Sequence, residues 1–301
     1  MRNLFFYGFL CLLLALTVTL HRKLERLSGP AAIPADPQRI VSLAPSVTET
    51  FYALGLGARV AGVTQFCAWP PDVAAKPRVA GFSDVNFEAV LRLRPDLVAL
   101  PDDKFANKTQ LERMGLPVLA LDTRTLSGLM KSIRVVGAAT GRGREADAVL
   151  DNFRSSIRAA RERAEGKARP RVLFSIMHSY QGTGYITEIN AVGRDGFYNE
   201  LIEIAGGVNV YRGNLPFPRL SRESVIFLNP DVIIDVIFAE ENLDAVRRDW
   251  ESLATVGAIR NGRLHLLTDG ADTVSGPRSY QTLSRLSRAF HPPAADARSA
   301  R

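Results

Sequence analysis

Apolar residues in the first half of the chain occur in two alternating patterns, helical spacing and short continuous runs. Residues 86–100, "NFEAVLRLRPDLVAL", predict an amphipathic helix that ends before Pro95 and a buried strand at 97–100. Residues 107–122 repeat this order, with Gly115 ending the helix. Because helices alternate with apolar strands, the pattern predicts a parallel sheet covered by helices.

The stretch before this repeat predicts two further strands and a capped helix. "RIVSLAP" at 39–45 is typical of a short buried strand, and "RVAGVT" at 59–64 also predicts a strand. Between them, Ser46 as an N-cap with Glu49 three residues later matches a capping box. We therefore expect Glu49 to bond to the backbone at the start of its own helix.

The second half of the chain repeats the same order after a purely helical stretch. Residues 127–166 predict a helix, a glycine-rich break at 141–143 and then a longer helix. The later predicted elements are a strand at 171–177, a helix within 193–207, a helix and a strand on either side of Pro230, a helix, turn and strand over 249–268, and a last helix over 278–292. A helix end, an x-Pro-Asp turn and a buried strand occur at 91–100 and again at 226–235. The chain is therefore predicted to form two similar lobes.

The predicted fold class is α/β, with two similar lobes whose parallel sheets are covered by helices and with a ligand cleft between the lobes. The predicted segments are an N-terminal membrane anchor or uncleaved signal (1–27), a linker (28–38), the first lobe (39–126), a helical connector (127–168), the second lobe (169–292) and a tail (293–301). A continuous connector helix cannot absorb large backbone rotations without breaking hydrogen bonds, so we expect a stiff bridge.

Composition excludes some classes of function. The 301 residues are 46% hydrophobic and 23% charged, which is an ordinary globular mixture. The formal net charge is +7, and basic residues concentrate at 21–26, 154–171 and 285–301. Glu162 and Glu165 are interspersed in the second of these runs, which is typical of a solvated helix face. With no RNA- or DNA-binding signature beside it, we expect no nucleic-acid partner.

The N-terminal segment bears on the compartment. An uncharged apolar run at 4–20 has a length between a signal-peptide core and a minimal membrane span. No small-x-small cleavage site follows it, and the residues before Cys11 form a poor lipobox. The pattern favours an uncleaved anchor, with a cleaved signal as the alternative. Since Cys11 lies inside this run, Cys67 is expected to be a free thiol.

From Arg39 to Pro292 the sequence resembles the class III periplasmic binding proteins, which serve ABC importers for cobalamin, ferric siderophores and haem. The matching stretches are "RIVSLAPSVTETFYALGLG", "GVTQFCAWPPD", "PRVAGFSDVNFEAVLRLRPDLV", "LIEIAGGVNVY", "LPFPRLSRESVIFLNPDVII" and "GRLHLLTDG". The resemblance is strongest to the cobalamin-binding branch. The family resemblance implies two lobes bridged by one long rigid helix within 144–166, a small hinge motion between the lobes and no catalytic activity.

The resemblance also implies an aromatic lining for the cleft. Phe66, Phe82 and Phe217 match aromatic positions that lie against the corrin ring in the cobalamin branch. Trp69 lies beside a proline pair that holds its segment extended and out of the sheet. Flat aromatic faces suit a flat macrocycle, because stacking buries a large area. Ordinary core packing is the alternative for all four side chains.

Two positions depart from the family pattern. Gly270 stands where the family has a tryptophan, and Thr273 stands where it has an arginine near the ligand. Both departures bear on the identity of the ligand more than on its class.

Polar side chains supply further candidates. Asp269 and Asp272 could accept hydrogen bonds from ligand amides, with loop capping as the alternative. Cys67 could ligate cobalt or iron, although a small buried residue is the simpler reading. His178 and Tyr185 could reach a metal complex as axial ligands, because His and Tyr both serve that role for haem. A structural role for His178 remains the alternative, and no metal site of the protein's own is predicted.

In the family that this sequence resembles, one glutamate on each lobe docks into arginine pockets of the membrane permease. The matching positions are Glu88 in "VNFEAV" and Glu223 in "LSRESV", each near the start of a predicted helix. A carboxylate is stabilised there by the helix dipole in any case, so a capping role is the alternative.

Three functions remain to be compared. The first is the extracytoplasmic binding component of an ABC importer, monomeric, with a permease and ATPase complex as partner and a cobalt corrinoid, ferric siderophore or haem as cargo. The second is an enzyme using the same cleft, which we do not expect because the four histidines are scattered and no nucleophile motif occurs. The third is a membrane-tethered sensor or scaffold. No cofactor of the protein's own is expected.

Overall fold

The structure is a computed structural model that describes residues 31–81, 84–178, 185–237 and 242–293. For Phe105, Met177 and His178 it describes the backbone alone. Among those residues no helix has the length and apolar character needed to cross a membrane. The predicted anchor at 4–20 lies outside the described residues, as does Phe82.

The first lobe contains a five-stranded parallel sheet with the strand order β3-β2-β1-β4-β5. Its strands are β1 (Ile40–Ser42), β2 (Val60–Thr64), β3 (Arg78–Ala80), β4 (Leu97–Pro101) and β5 (Val118–Leu121). Its helices are α1 (Pro45–Ala53), α2 (Phe87–Arg92) and α3 (Phe105–Arg113), with single turns of 3₁₀ helix at Gly57–Arg59 and Pro71–Ala75. The parallel, helix-covered sheet predicted from the alternating pattern is confirmed for this lobe.

Two helices connect the lobes. Helix α4 (Leu126–Ala139) begins where the Thr125 hydroxyl accepts a hydrogen bond from the Gly128 N–H at 2.9 Å. It ends before Gly141, whose φ of +67° suits a residue without Cβ. Helix α5 (Gly143–Ala164) then runs for 22 residues. The predicted order of helix, glycine break and longer helix is confirmed.

The second lobe differs from the first in strand direction. Its strands are β6 (Arg171–His178), β7 (Glu188–Ala191), β8 (Val208–Asn209), β9 (Arg219–Ser221), β10 (Val232–Val236) and β11 (Leu264–Leu267), in the order β11-β10-β6-β7-β9 with β8 beside β6. Its helices are α6 (Phe197–Ile204), α7 (Arg222–Leu228), α8 (Leu243–Glu251), α9 (Gly257–Arg260) and α10 (Ser279–Phe290). Strand β7 runs antiparallel to β6 and β9, so this sheet is mixed. The segment between β6 and β7 is too short for a helical crossover, which an added parallel strand would need.

The two lobes share one local design at the x-Pro-Asp turn. Each turn has a residue in the left-handed region, Arg94 with φ of 46° and Asn229 with φ of 41°. The aspartate that follows, Asp96 or Asp231, accepts a backbone N–H at 2.8 Å from the residue just before β1 or from the first residue of β6. Residues 86–101 and 221–236 therefore correspond position by position, which is a structural repeat.

One hydrophobic cluster extends through both lobes and the connector. It includes Phe51 on α1, Phe153 on α5 and Phe174 on β6, all fully buried. Smaller clusters lie around Val98 in the first lobe and around Trp250 in the second. Because α5 packs against helices of both lobes, it fixes their relative placement.

Candidate functional site

A buried ion pair joins the two lobes. The Arg278 guanidinium, just before α10, donates from Nη2 to Glu49 Oε1 at 2.6 Å and from Nε to Glu49 Oε2 at 3.0 Å. The Arg278 side chain is 13% exposed and the Glu49 side chain 3% exposed. Because the guanidinium and the carboxylate are both planar, the two hydrogen bonds fix the relative orientation of the groups in addition to the attraction between their charges.

The predicted capping box is therefore wrong. Helix α1 begins at Pro45, with Ala44 as its N-cap and no side-chain cap. Pro45 supplies no N–H and has the φ of a first helical residue, so a side-chain cap is less needed. Ser46 lies inside the helix, and Glu49 bonds to the second lobe instead.

Trp69 lies against this ion pair. The guanidinium carbon of Arg278 is 4.3 Å from the centroid of the Trp69 ring, which is the geometry of a cation–π contact. Trp69 is 38% exposed and precedes the Pro70–Pro71 pair that starts a 3₁₀ turn. An exposed indole that touches the opposite lobe lies at the junction between the lobes.

The neighbours of Trp69 in the loop after β2 differ in their exposure to solvent. Phe66 is about half exposed. Cys67 is 2% exposed, and its Sγ lies 3.2 Å from the hydroxyls of Thr48 and Thr64. The Arg78 guanidinium holds the loop by donating to the Cys67 carbonyl at 2.8 Å. A contact between Cys67 and a ligand stays a prediction, and in this structure the thiol is covered.

The second lobe contributes exposed apolar side chains of its own. Tyr185, Leu215 and Phe217 are each about half exposed. Phe217 precedes β9, the outer strand of the mixed sheet, and the Pro216 carbonyl accepts the Gly193 N–H at 2.7 Å. The side chain of His178, at the end of β6, lies outside the described residues.

Charges of alternating sign extend from the ion pair into the second lobe. Asp269 lies 3.5 Å from Arg278 and 3.4 Å from Arg285. Asp272 is fully buried and accepts from Arg285 Nη2 at 2.8 Å and from the Thr282 hydroxyl at 2.6 Å. Asp269 is the more exposed of the two predicted aspartates, and Asp272 holds the loop together from within.

Burial dominates the electrostatics of this junction. The pKa of Glu49 is raised because its carboxylate is desolvated, although Arg278 acts in the opposite direction. Burial also raises the pKa of Tyr198, whose hydroxyl donates to the Asp272 carbonyl at 2.9 Å. The Glu49–Arg278 pair is therefore a desolvated, charge-paired contact, whereas Asp269 beside it is partly exposed.

The two predicted docking glutamates occupy equivalent positions of the repeat. Glu88 and Glu223 are each the second residue of a helix, α2 and α7, and both are exposed. Asn86 and Ser221 cap the two helices, accepting backbone N–H groups at 2.9 and 3.3 Å. Each cap satisfies one of the N–H groups at its helix start, so docking and a supporting role at the helix start both stay predictions for the two glutamates.

Apolar side chains accompany both glutamates. Leu91 and Ile226 lie three residues further along their helices, at equivalent positions, and are 43% and 39% exposed. Phe227 is 88% exposed on α7. Residues three and four apart share a helix face, so each carboxylate lies beside exposed apolar surface.

The Ser221 hydroxyl donates to Glu223 Oε2 at 2.7 Å and holds the pKa of Glu223 below its ordinary value. We expect Ser221→Ala to raise this pKa toward the ordinary range, because the charged form loses a hydrogen bond. NMR titration of the Glu223 side chain measures the shift. Glu88, on the first lobe, serves as the internal reference, and an unchanged Glu223 titration would contradict the assignment.

Two surface grooves lie away from the junction. One, of about 740 Å³, is lined by the C-terminal half of α5 together with Glu203 and Gly206. The other, of about 1140 Å³, follows strand β11 and is lined by several arginines and His265. Burial and the nearby Arg263 and Arg247 charges lower the pKa of His265. Neither of these two grooves includes the exposed aromatic residues, and the interlobe junction stays the predicted ligand site.

Comparison with known proteins identifies the family. The family described as "Periplasmic binding protein" matches residues 40–271. An uncharacterized ABC transporter substrate-binding lipoprotein, YvrC of Bacillus subtilis, is 29% identical over 270 residues, which is 86% of this chain and 82% of the relative. A cobalamin-binding protein of Halobacterium salinarum is 28% identical over 272 residues, covering 86% and 71% of the two chains. The solved structure of the periplasmic heme-binding protein RhuT from Roseiflexus sp. RS-1 has a TM-score of 0.70 and 29% identity, covering 88% and 99%.

Proposed function

Because this chain belongs to the periplasmic binding protein family, we propose that it is the extracytoplasmic substrate-binding component of an ABC importer. Its cargo under this proposal is a cobalt corrinoid of the cobalamin type, bound between the lobes. One observation carries the proposal: Trp69, still partly exposed, contacts Arg278 of the opposite lobe. Exposed aromatic rings at a junction between lobes suit a flat, bulky metal complex.

Two comparisons bear on the choice of cargo. A relative named for cobalamin and a solved structure named for heme resemble this chain to nearly the same degree, at 28% and 29% identity. Phe66 and Phe217 favour any flat macrocycle, whereas Gly270 and Thr273 depart from the cobalamin pattern. Haem or a ferric siderophore is therefore the alternative cargo of the same site.

The proposed cycle has three steps. The cleft captures the metal complex, Glu88 and Glu223 dock on the permease, and the permease forces the lobes apart to release the cargo. Charge-assisted pairs between these carboxylates and permease arginines would orient the complex. The long α5 helix supports forced release, because a continuous helix resists spontaneous opening.

We further propose that the chain acts as a monomeric carrier rather than an enzyme. We place it on the outer side of the inner membrane, tethered by residues 4–20. A membrane-tethered sensor or scaffold is the second candidate, because the apolar N-terminal run without a cleavage site suits a tethered protein of either kind better than a freely diffusing carrier. Uptake measurements separate the two, because a sensor would bind its ligand without importing it.

The cargo is tested by titrating the full chain in detergent with cyanocobalamin, haemin and a ferric hydroxamate in turn. Tryptophan quenching and the visible spectrum of each compound report binding. We expect saturable binding of cyanocobalamin at about 1 μM or tighter, which is about −8 kcal/mol. Tighter binding of haemin or the hydroxamate would reassign the cargo, and no binding of any of the three would favour the scaffold function.

A further inference from the structure

The Glu49–Arg278 pair and Trp69 form one unit across the two lobes. Glu49 and Trp69 belong to the first lobe, and Arg278 belongs to the second. We propose that Arg278, anchored by Glu49, is a positioning residue that holds Trp69 as the ligand-stacking surface and ties that surface to the spacing of the lobes. This inference rests on the proposed function and deepens it.

Each of the three guanidinium nitrogens faces a carboxylate. Nε and Nη2 bond to the two oxygens of Glu49 at 3.0 and 2.6 Å. The third nitrogen, Nη1, lies 3.5 Å from Asp269 Oδ1. Because three of its five N–H groups face carboxylates and its side chain is only 13% exposed, Arg278 is placed to act on a ligand through another residue.

Arg278 covers one face of the indole. With its Cζ 4.3 Å from the ring centroid, the guanidinium occupies one face of the indole, so under this proposal a flat ligand stacks on the opposite face. The two hydrogen bonds to Glu49 fix the plane of the Arg278 guanidinium, and the fixed guanidinium restrains the Trp69 ring. A stacking surface that is held in place before binding loses less conformational freedom on binding.

The lobes approach closely where this unit forms. A Cβ on Gly276 would lie 3.1 Å from Glu49 Oε2 and 3.6 Å from Ser46 Cα. Glycine at 276 therefore lets a loop of the second lobe reach helix α1. Lobe separation by an ångström or two would break the 2.6 Å contact of the ion pair and release Trp69 at the same time. Opening of the lobes is thereby coupled to loss of the stacking surface.

The test uses the full chain in detergent and the variants Arg278→Met and Glu49→Gln. Trp250 is fully buried, so acrylamide quenching reports on Trp69, and Trp69→Phe identifies the Trp69 component. We expect Arg278→Met to make Trp69 more accessible to acrylamide without any ligand. With cyanocobalamin as probe, the same variant is expected to raise Kd by about tenfold or more. Glu49→Gln should change both quantities in the same direction by less.

A matched control comes from Arg263, a half-buried arginine of the second lobe that donates to the Phe290 carbonyl at 3.0 Å. Arg263→Met removes a comparable arginine without touching the junction, so it is expected to lower stability while leaving Trp69 quenching and Kd unchanged. If Arg278→Met fails to fold, Arg278→Lys keeps the charge without the two-point fork, and we expect it to expose Trp69.

The outcomes are separable. Unchanged Trp69 quenching in folded Arg278 and Glu49 variants would overturn the proposal, whatever ligand is bound. Increased quenching together with weaker cyanocobalamin binding would support it. Increased quenching in a protein that binds neither cyanocobalamin nor haemin would support the positioning of Trp69 and count against the proposed function alone.

Discussion

Replacing Glu88 and Glu223 together by alanine is expected to reduce cyanocobalamin uptake to background while leaving its binding affinity unchanged. The two carboxylates are exposed, occupy the second position of equivalent helices and lie outside the interlobe junction. Under the proposed docking, their removal would delete two charge-assisted contacts to the permease without disturbing either lobe. Uptake of labelled cyanocobalamin by cells that express the variant with its permease and ATPase measures the loss.

Single variants distinguish docking on both lobes from docking on one. Because the lobes are equivalent at these positions, we expect Glu88→Ala and Glu223→Ala each to lower uptake and the double variant to lower it further. The matched control is Glu162→Ala with Glu165→Ala, which removes two exposed carboxylates at the end of the connector. Normal uptake by the Glu88 and Glu223 double variant would contradict the docking assignment.

Local chemistry explains why much of the fold could be predicted. The turns at Pro95 and Pro230 combine a helix end, a ring that cannot continue the helix and a following apolar strand, all within ten residues. The helical stretch and its break near Gly141 are likewise determined by residues that lie close together in the sequence. Spacing and breaker residues therefore located these elements without any knowledge of their packing.

Contacts between distant residues explain what could not be predicted. Glu49 matches a capping box, yet its partner Arg278 is 229 residues away, and no local pattern indicates which contact forms. The antiparallel β7 is a four-residue strand between β6 and β9, and its direction depends on how it pairs with these two neighbours. Trp69 and Cys67, two residues apart, differ because Trp69 contacts Arg278 of the other lobe while Cys67 is covered by Thr48 and Thr64 of its own lobe.

A substitution in the buried face of the connector helix is expected to have a large effect on the free energy of unfolding. Phe153 on α5 is fully buried, and its ring packs edge-to-face on Tyr280 of α10 with centroids 5.9 Å apart. We expect Phe153→Ala to lower the free energy of unfolding by about 3–5 kcal/mol, through lost burial and the cavity left behind. Urea titration followed by circular dichroism measures this change.

The same residue tests whether the lobes unfold together. Because the cluster around Phe153 contains residues of both lobes, unfolding of either lobe would expose the connector and destabilise the other. We therefore expect Trp250 fluorescence, which reports the second lobe once Trp69→Phe removes the other tryptophan, to change at the same urea concentration as the circular dichroism signal with and without Phe153→Ala. Phe227→Ala is the matched control, since a ring that is 88% exposed should change stability by no more than about 0.5 kcal/mol. Two separate transitions, or a Phe153→Ala effect no larger than that of Phe227→Ala, would show that the connector does not bind the lobes into one cooperative unit.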